Sequence, residues 1–182
     1  YGEGNKLNFS KLHGIVGIFG KNYSGKSSII DALLYTLFNS TSKNERKNLN
    51  VINQNKDYGN GKLEIAIGEK DFLIERESTK YIKKLKGDET LEAKTDINFS
   101  CYDHVTQEEE ELNGDSRNAT DKNIRKMFGT IDDFLLTSMS SQVGSLAFIN
   151  EGSTKRKEIL GKFLDLVIFD KKFKKAKEDA AD

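Results

Sequence analysis

Gly14-Ile15-Val16-Gly17-Ile18-Phe19-Gly20-Lys21-Asn22-Tyr23-Ser24-Gly25-Lys26-Ser27-Ser28-Ile29-Ile30-Asp31-Ala32-Leu33-Leu34 is the stretch whose reading decides the fold. Residues 14–19 are apolar and partly β-branched, which predicts a short buried strand. Ile29, Ile30, Leu33, Leu34, Leu37 and Phe38 then recur on one helical stripe. Between strand and helix, residues 20–27 match G-x-x-x-x-G-K-[ST] at every fixed position. Gly20 permits a sharp turn off the strand. Gly25 lets successive amide N–H groups curl into one anion-binding concavity, to which the helix adds its positive dipole end. The Lys26 ammonium suits the space between a β- and a γ-phosphate, and the Ser27 hydroxyl is a hard oxygen ligand for Mg²⁺. Ser28 is placed to donate to an α-phosphate. This stretch predicts a P-loop that binds ATP and Mg²⁺.

Outward from the loop, residues 40–47 are polar and read as a connection. The period then changes to two: Leu63, Ile65 and Ile67, then Phe72 and Ile74, then Ile97, Phe99 and Cys101 alternate with polar residues. Gly59, Gly61, Gly68 and Gly87 punctuate these runs, so residues 62–103 predict an antiparallel sheet of about four strands. The acidic residues 107–118 lack a period and read as a loop. Helices are expected over 121–128 and 131–137, and a serine-rich loop over 138–145. From Ser153, a candidate N-cap, Ile159, Leu160, Phe163, Leu164, Val167 and Ile168 form one continuous stripe. Lysines at 171, 172, 174, 175 and 177 then predict a helix running out into solvent. The chain contains no proline to stop it, and it shows no internal repeat.

Size and charge bound the rest. The 182 residues suit one domain. At 36% hydrophobic and 32% charged, the chain suits a fold with a long solvated helix or a face buried on a partner. Basic and acidic residues number 29 each, so any nucleic-acid contact must come from a local basic face. One cysteine excludes an internal disulfide, and with only His13 and His104 beside it a zinc site is not expected. No apolar run approaches the roughly 20 residues of a membrane span. The expected compartment is a reducing, cytoplasmic one. The first residue is Tyr1, not Met, which predicts a longer parent protein.

A GTPase needs D-x-x-G and N-K-x-D motifs, which are absent, and small-molecule kinases need lid arginines, of which a chain with five arginines has few to offer. A P-loop unit followed by an antiparallel sheet has the layout of an ABC-type head. On residues 17–22, 25–32, Leu37 and Phe38, the chain resembles the SMC-related ATPases of the SbcC type, and most closely the large subunit of tailed-phage recombination exonucleases. The resemblance aligns Asn22 with the family's P-loop asparagine, whereas Tyr23 stands where glycine is usual. It implies that Gly20, Asn22, Tyr23, Ser24, Gly25, Lys26, Ser27 and Ser28 line the nucleotide site. It also implies that Gln142 is the Q-loop glutamine, reaching the Mg²⁺ and the attacking water. Lys26 and Gln142 would then be the catalytic residues on this chain, with Ser27 and Gln142 at the metal.

The implied fold is α/β: the N-terminal lobe of an ABC-type head over residues 1–152, with a mixed sheet and an antiparallel β subdomain. Residues 153–182 would lead into a coiled coil. The implied partners are a C-terminal half carrying the signature and Walker B motifs, a second head joined through ATP, an SbcD-type nuclease subunit, and DNA, with no membrane. The implied function is driving a DNA-repair or recombination exonuclease complex from the cytoplasm, a phage origin acting in the host included. The alternative is a structural SMC-type or RecF/RecN-like DNA-binding ATPase with no nuclease, and a nucleotide-binding regulator is a third. The chain lacks the glutamate expected to polarise water, so alone it should turn over ATP negligibly.

Other features read as structural. Leu166-Val167-Ile168-Phe169-Asp170 imitates a Walker B strand, but it continues the helical stripe and Lys171 follows where a catalytic glutamate is needed. Glu108–Glu111 reads as a solvated acidic loop rather than a metal cluster. Lys155-Arg156-Lys157 and the lysines of 171–177 read as a solvated helix face, with contact to DNA phosphates the alternative.

Overall fold

The computed structural model describes residues 4–41, 48–85, 88–138, 149, 151–164 and 166–180. The chain divides into two compact units, Tyr1–Thr130 and Ile131–Asp182. In the first, a short 3-10 turn at Phe9–Lys11 precedes the loop that leads to helix α1 (Ser28–Phe38) and a four-residue helix α2 (Asn48–Val51). Four strands follow, β1 (Tyr58–Ile67), β2 (Lys70–Leu85), β3 (Asp88–Asp103) and β4 (Glu108–Glu111), and then helix α3 (Arg117–Phe128). The strands form one antiparallel sheet in the order β1-β2-β3-β4. A two-residue turn joins β1 to β2, with Ile67 opposite Lys70 and Gly68 at φ +59°, the left-handed conformation tight hairpins require.

Alternation assigns the sheet's two faces. On β2, Phe72, Ile74, Arg76 and Ser78 are buried, and they pair with Cys101, Phe99, Ile97 and Thr95 of β3. Helix α1 lies over β1 and β2 on this core, while α3 lies over β3. The α3 side chain Phe128 meets Phe72 edge-on at 5.7 Å and Phe99 at 6.2 Å, favourable arrangements for aromatic quadrupoles. From α1, Leu34, Tyr35, Leu37 and Phe38 complete the core. Three hydroxyls in it are paired in a chain: the Tyr35 hydroxyl donates to Ser78 Oγ at 2.8 Å, and Ser78 shares a hydrogen bond with Thr95 Oγ1 at 2.7 Å. Burial raises the Tyr35 phenol above its ordinary pKa, which keeps it a donor.

Two residues matter for packing and for ending elements. A Cβ on Gly61 would run into Thr36 Oγ1 and stand 3.3 Å from the Thr36 Cβ, so β1 approaches α1 closely only because residue 61 has no side chain. Helix α1 then ends at Asn39, which takes the left-handed conformation (φ 55°) and returns its N–H to Tyr35 O at 2.9 Å.

The antiparallel sheet expected over 62–103 is present and extends over 58–111, whereas the mixed sheet expected beneath the P-loop helix does not occur among the described residues. The segment 14–19 bends at Gly14 and Ile15 and forms no ladder among the described residues, and Ile15 and Phe19 are 104% and 93% exposed. A buried strand needs neighbours on both edges, and no described strand lies beside this one. Its expected burial is therefore not observed, and neither is that of the first turn of α1, where Ile30 is exposed. Residues 108–111, expected in a loop, form β4, held by backbone pairing with 100–103. Helix α3 starts at Arg117 instead of 121, because Ser116 in an extended conformation accepts the Ala119 N–H and caps it.

The second unit includes α4 (Ile131–Thr137), where the sequence predicts a helix, as well as α5 (Ser153–Phe163) and α6 (Val167–Asp179). The expected single helix from 153 is thus interrupted. Leu166 N–H returns to Gly161 O at 2.7 Å, a bond five residues back that ends α5. Gly152 O accepts the first helical bond, from Arg156, so Gly152 and not Ser153 occupies the capping position. Val167, Ile168, Phe169 and Asp170 lie in α6, as the helical reading of the Walker B imitation requires.

Candidate phosphate-binding site

The loop of residues 20–27 is built by its backbone. Gly25 takes φ +86°, a conformation that favours glycine, and an added Cβ on Gly20 would lie 2.7 Å from Ser24 Oγ, so the Ser24 side chain would have to turn away. Ser24 N–H bonds Lys21 O at 3.2 Å and closes the turn. The first helical bond runs from Ser28 N to Gly25 O at 3.1 Å. The N–H groups of Lys26 and Ser27 precede it and make no hydrogen bond among the described residues. These are the orphan donors of a helix N-terminus, where anions are stabilised. Ser27 sits at the N-cap with no side-chain capping bond, which leaves its hydroxyl for another partner.

Lys26 spans the concavity. Its Nζ donates to Gly20 O at 2.8 Å and Lys21 O at 2.7 Å. The loop thus fixes the ammonium by two charge-assisted bonds, and phosphate oxygens can replace those carbonyls. A cradle that favours glycine, unbonded amides and a held ammonium fit a polyphosphate, and the Ser27 hydroxyl fits its Mg²⁺. Asn22, Tyr23 and Ser24 are exposed, and Ser28 is half-buried at the first turn. Tyr23 adopts φ 63°, a left-handed conformation costing about 1 kcal/mol for a residue with a Cβ. Gln142 lies outside the described residues.

Arg76 is a residue that sequence reasoning misses. It is buried to 1% exposure, and it donates from Nε to Thr36 O at 3.0 Å and from Nη2 to Leu37 O at 3.4 Å. Nη2 also pairs with Asp121 Oδ1 of α3 at 2.7 Å. Arg76 thereby caps the negative end of the helix whose other end is the P-loop, and bolts it to β2 and α3. The available signal is its place in the alternation Phe72, Ile74, Arg76, where period two puts a charge inside.

Among the described residues no group of three or more His, Cys, Asp or Glu side chains is placed to hold a metal, Glu108–Glu111 included. His104 pairs with Asp71 at 2.7 Å, and Cys101 is a buried core thiol. Lys155 pairs with Glu158 at 3.3 Å, and the α6 lysines are exposed. No described helix is long and apolar enough to cross a membrane.

A P-loop leading into a helix packed on an antiparallel sheet defines an α/β, P-loop ATPase-like fold. The chain belongs to the AAA domain family, whose profile matches residues 1–181. It is 30% identical over 189 residues to uncharacterized protein R555 of Acanthamoeba polyphaga mimivirus, covering 100% of this chain and 13% of that one. It is 26% identical over 167 residues to the SbcC subunit of the nuclease SbcCD of Clostridium acetobutylicum, covering 88% and 13%. Over 59 residues it is 39% identical to the DNA double-strand break repair Rad50 ATPase of Sulfolobus acidocaldarius, covering 32% and 7%. The chain therefore spans 13% or less of the length of each of these relatives.

Proposed function

We propose that the chain is the ATP-binding N-terminal part of an SMC-related ATPase head that serves DNA repair with a nuclease partner. The observation that carries the ATP site is the Lys26 ammonium held in a glycine-dependent nest at the start of α1. The kinship to SbcC and Rad50 proteins supports the DNA-repair setting. In this reading, Gly20, Asn22, Ser24 and Gly25 shape and line the nest, and Tyr23 flanks it. Lys26 and the amides of Lys26 and Ser27 hold the β- and γ-phosphates, and Ser28 holds the α-phosphate. Ser27 and Gln142 hold Mg²⁺, and Gln142 orients water. Bound Mg-ATP supplies the phosphoanhydride whose hydrolysis powers the cycle, while this chain's residues bind, orient and neutralise charge. Residues 1–152 form the lobe, and 153–182 lead to a coiled coil.

The exposed apolar segment 14–19 and the half-open α1 support a C-terminal half as the neighbour that covers them. That half would carry the signature and Walker B motifs, and ATP would join two such heads on DNA beside an SbcD-type nuclease. A phage-encoded origin, acting in the host cytoplasm, belongs to the same reading. The test is Mg-ATP binding by calorimetry. Lys26→Ala should weaken it by roughly 30-fold, the loss of about 2 kcal/mol of charge-assisted bonding. Equal binding by the variant would overturn the site. Turnover by this chain alone should stay at background and appear only on adding the C-terminal half; robust turnover without it contradicts the half-site reading. Recovery of the whole protein without any nuclease would favour an SMC- or RecF/RecN-like DNA-binding role.

A further inference from the structure

Tyr23 is the one bulky side chain among the described residues held at positive φ; the other two non-glycine cases are Asn39 and Gln107. Its ring is 106% exposed, and no described residue covers it. The residue thus costs the fold backbone strain and returns no burial, which leaves its benefit outside the fold. Its position narrows where that benefit lies. It stands three residues before Lys26, on the crest of the loop whose carbonyls hold the Lys26 ammonium. No described residue packs against the ring, so rotation about its side-chain torsions can bring it down on the nest's flank.

We infer that Tyr23 is a positioning residue for the nucleotide: its ring closes over the phosphate chain of bound Mg-ATP, shielding it from water, with the phenol hydroxyl donating to a phosphate oxygen. This rests on the P-loop reading above. The arrangement joins a flat apolar cover to a donor, the amphipathic character that makes tyrosine effective at ligand contacts with few torsions to order.

The sign of one substitution separates this role from tolerated strain. If the ring does nothing, Tyr23→Gly suits the left-handed backbone better and binds Mg-ATP as well as the parent or more tightly. If the ring covers the nucleotide, Tyr23→Gly keeps or raises the thermal midpoint of the chain yet weakens Mg-ATP binding by about tenfold. The chain contains no tryptophan, so Tyr23→Trp supplies a single indole fluorophore. Its emission should shift saturably with Mg-ATP, and the shift should require far more nucleotide in a Lys26→Ala background. Undiminished binding by Tyr23→Gly, or an indole emission from Tyr23→Trp blind to bound nucleotide, overturns the inference and leaves the P-loop reading standing. Absence of Mg-ATP binding by the parent chain overturns both.

Discussion

Arg76→Ala lowers the stability of the first unit by about 3–5 kcal/mol, the cost of breaking a buried ion pair from one side. The guanidinium serves three acceptors at once: Thr36 O, Leu37 O and Asp121 Oδ1. Its removal strands two carbonyls at the end of α1, where unpaired acceptors and the helix dipole already concentrate negative charge. It also leaves Asp121, whose side chain is only 14% exposed, without its counter-ion. The Nη1 atom makes no hydrogen bond, so the arginine is itself imperfectly satisfied and a well-chosen apolar replacement has something to recover. Urea titration of Arg76→Ala, Asp121→Ala and the double variant measures this. The double variant should lose well under the sum of the singles, with a coupling of about 1–3 kcal/mol. A loss below about 1 kcal/mol for Arg76→Ala would mean the pair is a bystander.

Gly61→Val comes next in size, with an expected loss of up to about 3 kcal/mol, the overpacking range. The reason is steric, since Gly61 is not at positive φ: an added Cβ meets Thr36 Oγ1 and lies 3.5 Å from the Tyr35 ring. Thr36 is tied to Ala32 O at 2.8 Å, so it yields only by disturbing α1. The displacement should be felt at the other end of that helix, as weaker Mg-ATP binding. Gly61→Ala should cost less, and adding Thr36→Ala should restore part of what it loses. Unchanged melting of Gly61→Val would show that β1 and α1 separate freely.

Much of the fold and of the site is legible in the sequence where the signal is local. The glycines and lysine of the loop, the stripe of α1, the Gly68 turn and α4 all follow from short-range patterns. Segment 14–19 shows the limit: its composition suits a strand, but burial depends on which chain lies beside it. Strand β4 is hidden for the opposite reason. Four glutamates have no apolar face to read, yet their backbone pairs with β3, and like charges at an open edge discourage further strands from adding. The break between α5 and α6 has no proline to announce it. Arg76 is unreadable as a cap because its acceptors are 40 and 39 residues away in sequence.

The β2–β3 hairpin also has a mechanical meaning. Its strands run 16 residues each, and α1 is fastened to it at Arg76, nine positions short of the Leu85 end. At roughly 3.3 Å per residue that overhang is a lever about 30 Å long. A tilt of about 5° at the Arg76 fulcrum would sweep the far end through about 2–3 Å, several times the travel at the helix itself.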